Sequence, residues 1–309
     1  MSLKTVCTIV GARPQFIKAA PVSRALTASF REVFIHTGQH YDYGMSDVFF
    51  QEMEMRPPDF HLGAGGGTHA EQTGKMLIEI EKILSAVKPD YVLVYGDTNS
   101  TLAGALAAAK AQIPLAHVEA GLRSYNRAMP EEINRVLTDH VSSLLFCPTE
   151  AAIANLAKEG ITKGVHRVGD VMYDALLHNL ALARKRSTIL QSFGLEKGTY
   201  VLATVHRAAN TDDPARMTAI LDALSSLSTQ VIFPVHPRTR RMIQETGLSV
   251  LGNVKMVEPV GHFDVLILQE NANCILTDSG GMQKEAYLLG VRCITLHEET
   301  EWMETVQTG

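Results

Sequence analysis

The sequence predicts two α/β domains, each built around a doubly wound parallel sheet. Short β-branched runs alternate with longer amphipathic runs from the N-terminus to about residue 160. The strand-like runs are apolar almost throughout, which is typical of strands covered by helices on both faces. The same alternation begins again near residue 200, after a helix-rich basic stretch at 172–194. We therefore predict two domains, 1–171 and 172–309.

Each strand-like run precedes a helix-like or loop run, as parallel sheets require. In the first domain the strands are TVCTIV, EVFIH, YVLVY, PLAHV and LLFC. The helices that follow them are QFIKAAPVSRAL, a run near MSDVFFQEM, TLAGALAAAKAQ, EEINRVLTDHVS and EAAIANLAKEG. The glycine-rich segment 63–68 is predicted to be a tight loop before a helix at 69–84. In the second domain the strands are YVLAT, QVIFP, VKMV, NCILT and VRCIT.

Composition restricts the class of protein. The chain has 309 residues, of which 46% are apolar and 20% charged, so sizeable cores can form. A net charge of −5 argues against nucleic acid or an anionic membrane as a partner. We expect a cytoplasmic protein, since the N-terminus shows no cleavage signal and no apolar run is long enough to span a bilayer. The four cysteines lie in apolar runs without paired spacing, which favours buried thiols over disulfides or metal ligands.

Ligands of open parallel sheets bind beyond the carboxyl ends of the strands, so polar residues at these positions are the first candidates. After the first strand, Arg13 and Lys18 lie near the start of a helix that begins around Pro14. Two cations oppose the dipole of such a helix by about 0.3–1 kcal/mol each. This pattern favours an anion site over a solvated first turn.

Two acids follow consecutive strands of the first domain. Asp97 ends YVLVYGD, and Glu119 lies just past PLAHV. Because consecutive parallel strands tend to be neighbours, we expect the two carboxylates to face one crevice, where their proton affinities can differ. Taken alone, Asp97 fits a helix cap equally well.

The segment 121–135 carries further charges. Arg123 and Arg127 lie in a loop that could hold a substrate, and Glu131 and Glu132 follow Pro130 in the first turn of a helix. Acids are favoured at that position by the helix dipole. Local physics therefore favours capping over catalysis for both glutamates.

The second domain places polar residues at three strand ends. His206 and His236 close two strands, where histidines are as often structural as functional. The turn Ser279, Gly280 and Gly281 can bind a diphosphate through its backbone N–H groups, with Glu285 one helical turn further on for a ribose diol. The chain has no Walker sequence and no metal-binding motif, so we expect phosphate binding without a metal.

Taken together, the motifs GARPQFIKAAP, HTGQH, VYGDTNSTLAG, HVEAGLRS, MPEEINR, ATVHRAANT, PVHPRTR and LTDSGGMQKEA resemble the non-hydrolysing UDP-N-acetylglucosamine 2-epimerases. The resemblance runs in order along essentially the whole chain. It implies a fold of the glycosyltransferase-B type, in which two Rossmann-like domains face a cleft. It also implies a homodimer and a UDP-sugar substrate, with no metal and no other cofactor.

The resemblance assigns roles residue by residue. It implies catalytic roles for Asp97, Glu119, Glu131 and His206, and so raises Glu131 from a cap to an acid or base; Glu132 keeps the capping interpretation. The substrate-binding residues that it implies are Arg13, Lys18, Arg123, Arg135, His236, Ser279, Gly280, Gly281, Glu285 and Glu301.

Several positions depart from the family pattern. The segment 39–46 reads QHYDYGMS where relatives commonly continue Gln-His-Arg, which puts regulation by a second UDP-sugar in doubt. At 300–304 the chain reads TEWME, so an arginine contact to the nucleotide is replaced by Trp302. These variants resemble the branch that acts on UDP-2,3-diacetamido-glucuronic acid. Relatives also continue beyond the position of residue 309, with an element expected to return to the first domain.

The implied reaction converts UDP-GlcNAc to UDP-ManNAc by elimination of UDP to a 2-acetamidoglucal, followed by re-addition. One alternative is the same chemistry on the diacetamido uronate. Another is a glycosyltransferase of the same fold, which would need an acceptor and would exchange no proton at C2. A third is a sensor that binds a UDP-sugar without turnover.

Overall fold

The computed structural model describes residues 3–39, 55–247 and 252–297. The chain forms two compact units, Met1–Ala175 and Leu176–Gly309. The division falls inside the helix Val171–Arg186, and the sequence places the boundary at the start of the same helix. Each unit contains one parallel sheet, so the predicted α/β class is confirmed.

The first unit contains a seven-stranded sheet in the order β3-β2-β1-β4-β5-β6-β7. Its strands are β1 (Lys4–Val10), β2 (Phe30–His36), β3 (Phe60–His61), β4 (Tyr91–Tyr95), β5 (Leu115–Val118), β6 (Leu144–Cys147) and β7 (Val165–Arg167). Its helices are α1 (Arg13–Leu26), α2 (His69–Val87), α3 (Asn99–Lys110), α4 (Pro130–Val141) and α5 (Glu150–Lys158), and α6 (Val171–Arg186) continues into the second unit.

The second unit contains a five-stranded sheet in the order β10-β9-β8-β11-β12. Its strands are β8 (Tyr200–Thr204), β9 (Gln230–Pro234), β10 (Val254–Val257), β11 (Cys274–Thr277) and β12 (Cys293–Thr295). Its helices are α7 (Ile189–Phe193), α8 (Ala208–Thr211), α9 (Pro214–Ser226), α10 (Pro237–Thr246), α11 (His262–Asn271) and α12 (Gly280–Leu289).

Alternation along each strand builds a core on both faces of each sheet. In β1, Cys7 and Ile9 belong to the core on one face, while Val6 and Val10 belong to the core on the other. The strands of the second sheet alternate in the same way. Buried contacts on both faces explain why the strand-like runs of the sequence are apolar throughout.

Side-chain caps fix where the helices that follow the strands begin. Thr68 accepts the backbone N–H of Glu71 and starts α2, and Thr98 accepts the N–H of Thr101 and starts α3. These caps place the first turns of the helices at the carboxyl edge of the sheet.

Two short strands were not predicted. β3 has two residues and β7 has three, and both lie at the edges of the first sheet. Segments this short carry too few side chains for an alternating pattern. The helix predicted near 45–53 lies outside the described residues.

Close packing around position 11 explains why this residue is a glycine. A Cβ atom on Gly11, directly after β1, would lie 1.9 Å from Oγ1 of Thr37 and 2.2 Å from Oγ of Ser100. The turns after β1 and β2 and the start of α3 therefore pack too closely for any side chain at this position.

All four cysteines have free thiols: Cys7 and Cys147 are buried, and Cys274 and Cys293 are partly buried. Burial raises the pKa of the Cys7 thiol to about 12 and that of Cys147 to about 11. Among the described residues, none of the helices combines the length and the apolar character that crossing a bilayer requires.

Candidate active site

The strand order of the first sheet reverses between β1 and β4, which is where open α/β sheets bind ligands. The residues that follow the strands at this point include Arg13 and Lys18 after β1, Asp97 after β4 and Glu119 after β5. The expectation that β4 and β5 are neighbours is confirmed, with Tyr95 paired to Val118. Arg13 is exposed in the first turn of α1.

Lys18 and Glu119 form an ion pair at this edge of the sheet. The Lys18 ammonium donates a hydrogen bond to Oε2 of Glu119, whose side chain is only 6% exposed. Burial by itself would lower the pKa of Lys18, but the nearby carboxylates of Glu119, Asp97 and Asp170 outweigh it and raise the pKa. The ammonium therefore stays charged and provides the counter-ion that a buried carboxylate needs.

The backbone is unusual on both sides of this pair. Glu119 has φ of +71°, a left-handed conformation that costs a non-glycine residue about 1–3 kcal/mol. Gly96 has φ of +62°, and a Cβ there would lie 3.2 Å from Oε2 of Glu119 and 3.3 Å from Nζ of Lys18. A glycine at position 96 thus leaves room for the ion pair.

Arg135 connects two acids of the first unit. Its Nε and Nη2 donate to Oδ2 of Asp97, at 3.2 Å for Nε, and its Nη1 donates to Oε2 of Glu132 at 2.8 Å. The Asp97 side chain remains about one third exposed. Asp97 and Glu119 are therefore paired with different cations, Arg135 and Lys18.

Glu132 anchors the loop that precedes α4. It is 3% exposed and accepts the backbone N–H groups of Ser124 and Tyr125, both at 2.9 Å, and the Ser124 hydroxyl at 3.0 Å. Burial by itself would raise the pKa of Glu132, but these hydrogen bonds and the charge of Arg135 outweigh it and lower the pKa. Glu132 therefore has a structural role, as expected. It holds the loop at residues 124–125, whereas the sequence indicated that it caps the helix.

Glu131 differs from the adjacent Glu132 in its burial and contacts. Its side chain is exposed, and it makes no hydrogen bond or ion pair with the described residues. One helical step separates the two glutamates by about 100°, which explains why one lies inside and the other outside. The catalytic role that the resemblance implies for Glu131 stays a prediction.

The contacts of Arg123 favour a structural role over the predicted substrate contact. Its side chain is 1% exposed. It donates to both carboxylate oxygens of Glu159, at 2.7 and 2.8 Å, to Oδ2 of Asp139 at 2.7 Å and to the Leu122 carbonyl at 2.7 Å. The guanidinium donors are used within the first unit.

Gln15 is a buried residue that the sequence analysis missed. Its Oε1 accepts the N–H groups of Gly11 and Ala12, at 2.8 and 3.0 Å. Its Nε2 donates to the Tyr95 carbonyl at 2.8 Å and to Thr101 Oγ1 at 2.9 Å. One amide thereby fixes the turn after β1 against the turn after β4. A glutamine in a first helical turn gives no sequence signal for this role.

The sheet of the second unit reverses its order between β8 and β11. His206, His236 and Ser279 follow β8, β9 and β11, and all three line one pocket of about 170 Å³. The two histidine rings lie 6.0 Å apart between centroids. The structure thus brings together three residues that the sequence proposed separately.

Asp278 organises this pocket and was also missed. It is fully buried and accepts the backbone N–H groups of His206 and Arg207, at 3.0 and 2.9 Å, and the Asn210 amide at 3.0 Å. Nδ1 of His206 lies 3.2 Å from Oδ1 of Asp278. The first residue of the DSGG motif therefore holds the loop after β8 in place.

The His206 ring is partly buried, with 42% of the side chain exposed. This burial lowers the pKa of His206; the Asp278 carboxylate opposes the shift, and the charges of His236 and Arg207 add to it. The ring is therefore neutral near pH 7, so one nitrogen can accept a proton or a hydrogen bond.

The diphosphate site that the sequence predicts lies at the start of α12. Ser279 caps the helix by accepting the N–H of Met282. A Cβ on Gly281 would meet only Oγ of Ser279, at 3.9 Å, so the fold does not require a glycine there. Glu285 is partly exposed and accepts a hydrogen bond of 2.8 Å from the buried Gln269 amide. Gly280, the remaining predicted residue of this turn, is the first residue of α12 and is buried.

The last predicted residue, Glu301, lies outside the described residues, as does Trp302. Within residues 3–39, 55–247 and 252–297, no group of three or more His, Cys, Asp and Glu side chains is placed to hold a metal ion.

The loop anchor Glu132 gives a prediction for stability. Glu132→Gln should destabilise the protein by about 1.5–3 kcal/mol at pH 7, because the loop N–H groups and Arg135 lose a charged acceptor. Since the folded-state pKa of Glu132 lies below its ordinary value of 4.5, the stabilisation is present above pH 4.5 and is lost as the pH falls through the folded-state pKa. Urea unfolding at pH 7 and pH 3.5 should therefore show a smaller loss of stability on acidification in the variant.

Glu131→Gln is the matched control, because the Glu131 side chain is exposed and makes no hydrogen bond or ion pair with the described residues. It should change the urea midpoint little at either pH. Equal effects of the two substitutions would contradict the role assigned to Glu132.

Comparison with known proteins gives a consistent result. A family model described as UDP-N-acetylglucosamine 2-epimerase matches residues 24–309. A UDP-N-acetylglucosamine 2-epimerase homolog of Methanococcus maripaludis is 55% identical, with 98% of this chain and 87% of the relative covered. The UDP-2,3-diacetamido-2,3-dideoxy-D-glucuronate 2-epimerase of Pseudomonas aeruginosa is 49% identical, with 98% and 86% covered.

Solved structures agree with the sequence relatives. The crystal structure of Methanocaldococcus jannaschii UDP-GlcNAc 2-epimerase in complex with UDP-GlcNAc and UDP has a TM-score of 0.85 to this chain and 47% identity, and covers 99% of this chain and 87% of that one. The Neisseria meningitidis UDP-GlcNAc 2-epimerase bound to UDP-GlcNAc has a TM-score of 0.87 and 33% identity, with 98% and 85% covered. The chain therefore belongs to the UDP-N-acetylglucosamine 2-epimerase family.

Proposed function

We propose that this protein interconverts UDP-GlcNAc and UDP-ManNAc by inverting C2 of the sugar. One observation carries the proposal: Asp97 and Glu119 follow neighbouring strands of the first sheet, and each is paired with its own cation. Two carboxylates in different surroundings suit a reaction in which one group removes a proton and another returns it. Family membership supports the same activity.

The C2 proton of a 2-acetamido sugar is not acidic, because no carbonyl lies next to C2 in the ring. Cleavage of the C1–O bond to UDP builds positive charge at C1, and this charge acidifies the C2 proton. A carboxylate then removes the proton, which gives 2-acetamidoglucal and UDP. Return of UDP to C1, with a proton delivered to the opposite face of C2, forms the epimer. The steps balance without an oxidant or a reductant.

In this proposal, two carboxylates of the first unit carry out the two proton transfers at C2. Asp97 is one acid–base group, and either Glu119 or Glu131 is the other. Glu119 is favoured by burial and by its contact with Lys18, since Lys18 keeps the carboxylate ionised and so able to accept a proton. Asp97 likewise has a cation beside it, because the Arg135 guanidinium pairs with its carboxylate.

The residues of the second unit hold the leaving group. Backbone N–H groups at the start of α12, in the turn Ser279 to Gly281, bind the diphosphate, and Glu285 binds the ribose diol. His206 contacts the leaving diphosphate or orients the sugar, and the neighbouring His236 supports it. The open space around Gly281 supports this assignment, because it allows a ligand to approach the backbone.

The proposal also specifies which UDP-sugar is the substrate. Relatives with 47–55% identity include enzymes named for UDP-GlcNAc and one named for the diacetamido glucuronate, so the same chemistry on the uronate is the second candidate. Transfer to an acceptor and binding without turnover remain the outcomes that an activity assay has to separate.

We also propose a homodimer and a cytoplasmic location. Exposed apolar side chains of Tyr125, Ile133 and Leu137 line one surface pocket, which supports coverage by a second copy. Free, largely buried cysteines suit a reducing compartment. Sedimentation equilibrium tests the dimer directly.

Proton NMR of UDP-GlcNAc with the protein in D2O tests the activity. We expect deuterium to enter C2 while the signals of the manno epimer appear, because the proton removed at C2 exchanges with solvent before re-addition. The same experiment with the diacetamido uronate decides the branch by the faster substrate. Absence of exchange with both sugars would exclude an epimerase.

The assignment of Asp97 is tested in the same assay. Asp97→Asn should lower the exchange rate by about 10²–10⁴-fold, as expected when an acid–base group is removed. Asp222→Asn is the control and should leave the rate unchanged, because Asp222 is an exposed acid on α9. Full activity of Asp97→Asn would remove Asp97 from the mechanism.

Gly281 tests the diphosphate site. Gly281→Ala should stabilise the first turn of α12 by about 0.5–1 kcal/mol, because alanine favours a helix over glycine. It should also weaken UDP binding in calorimetry about tenfold or more, since the new methyl group occupies space reserved for the ligand. Gly74→Ala in α2, where a Cβ also has no neighbour within 4 Å, should stabilise without changing UDP affinity. Unchanged affinity of Gly281→Ala would place the diphosphate elsewhere.

A further inference from the structure

His117 is a fully buried histidine of the first unit that lies near Asp97 and Glu119. It lies in β5, two residues before Glu119. Both ring nitrogens make short hydrogen bonds: Nδ1 lies 2.7 Å from Oδ1 of Asp139, and Nε2 lies 2.7 Å from the Gly96 carbonyl oxygen. The proposed reaction leaves this side chain unused.

The hydrogen-bond partners of the His117 ring show which of its nitrogens carry a hydrogen. The Gly96 carbonyl can only accept, so Nε2 carries a hydrogen. The Asp139 carboxylate also accepts the Gly121 N–H at 3.1 Å and the Arg123 guanidinium at 2.7 Å. Burial by itself would raise the pKa of Asp139, but His117 and Arg123 outweigh it and lower the pKa. An ionised Asp139 only accepts, so Nδ1 also carries a hydrogen.

Gly96, whose carbonyl accepts the hydrogen bond from Nε2 of His117, directly precedes Asp97. Gly96 has φ of +62° and donates its own N–H to the Val118 carbonyl at 3.0 Å. Its carbonyl belongs to the peptide that joins it to Asp97. The Asp97 carbonyl in turn accepts the Asn134 amide at 2.9 Å. The two peptides that flank Asp97 are therefore held by His117 on one side and by Asn134 on the other.

Gly96 also borders the other acid, because a Cβ on it would lie 3.2 Å from Oε2 of Glu119. A shift of this residue would displace Asp97 along the chain and crowd the ion pair of Glu119 and Lys18 at the same time. A glycine with positive φ has no side chain to restrain it, so its position depends on its two backbone hydrogen bonds, from its N–H to Val118 and from His117 to its carbonyl.

We propose that His117 is a positioning residue that fixes Asp97, and with it the pair of acids, through its hydrogen bond to the Gly96 carbonyl. Asp139 orients the ring, and Arg123 and the Gly121 N–H hold Asp139. The role of Arg123 follows: it supports the ring that positions the acid. This inference rests on the proposed function in so far as Asp97 transfers a proton.

Two amide substitutions separate the contacts of the ring. In His117→Gln the amide nitrogen can occupy the place of Nε2 and donate to the Gly96 carbonyl. In His117→Asn the shorter side chain reaches only the place of Nδ1, so it can contact Asp139 but leaves the carbonyl without a donor. We expect kcat for C2 exchange to stay within about tenfold for His117→Gln and to fall about 10²-fold or more for His117→Asn, with KM changed little in both.

A merely structural role predicts a different order. If His117 serves only as the buried partner of Asp139, His117→Asn should be as active as His117→Gln, and that result would overturn the proposal. Thermal unfolding of both variants shows whether a loss of kcat follows a loss of stability. Losses that scale with unfolding temperature would also overturn it.

Crystal structures of the two variants test the positioning without reference to turnover. His117→Gln should keep the peptide between Gly96 and Asp97 in place, and His117→Asn should rotate or displace it. An unmoved peptide in His117→Asn would overturn the proposal even in an active enzyme. Absence of exchange in the unmodified protein, with the peptide displaced in His117→Asn, would instead reject the proposed function and leave the positioning intact.

Discussion

A carboxylate buried at the end of a strand is stable as an anion only when a cation lies against it, and Glu119 meets this condition through Lys18. The pairing joins the helix after β1 to the turn after β5, two segments 101 residues apart in the chain. It also explains the glycine at position 96, since a Cβ there would lie 3.2 Å from Oε2 of Glu119 and 3.3 Å from Nζ of Lys18. The geometry of this edge of the sheet depends on that pair.

Other buried charges of the first unit follow the same rule. Arg135 neutralises Asp97 and Glu132, and Arg123 neutralises Asp139 and Glu159. Each arginine pairs with at least one acid from another segment, Asp97 for Arg135 and Glu159 for Arg123. Charges that resemble a solvated run in the sequence therefore restrain a loop in the folded chain. Acids fixed in this way need little reorganisation when charge develops in a substrate.

The fold was largely predictable from the sequence, whereas the partners of charged residues were not. Strands such as YVLVY are identified by short, continuous runs of β-branched and aromatic residues, and the helices after them by their amphipathic period. The strand ends then indicated Asp97, Glu119, His206 and Ser279 as candidates. Local sequence could not show which of Glu131 and Glu132 turns inward, or that Arg123 is buried. Those outcomes depend on contacts with Ser124, Asp139 and Glu159, which only the folded chain brings close.

A double-mutant cycle on Lys18 and Glu119 tests most directly whether the pair acts as a unit in proton transfer at C2. Rates of deuterium incorporation would be measured for Lys18→Met, Glu119→Gln and the double variant. The double variant should lose about as much as Glu119→Gln alone, because Lys18 acts through the carboxylate that has been removed. A loss equal to the product of the two single losses would show that the residues act independently, and would contradict the account.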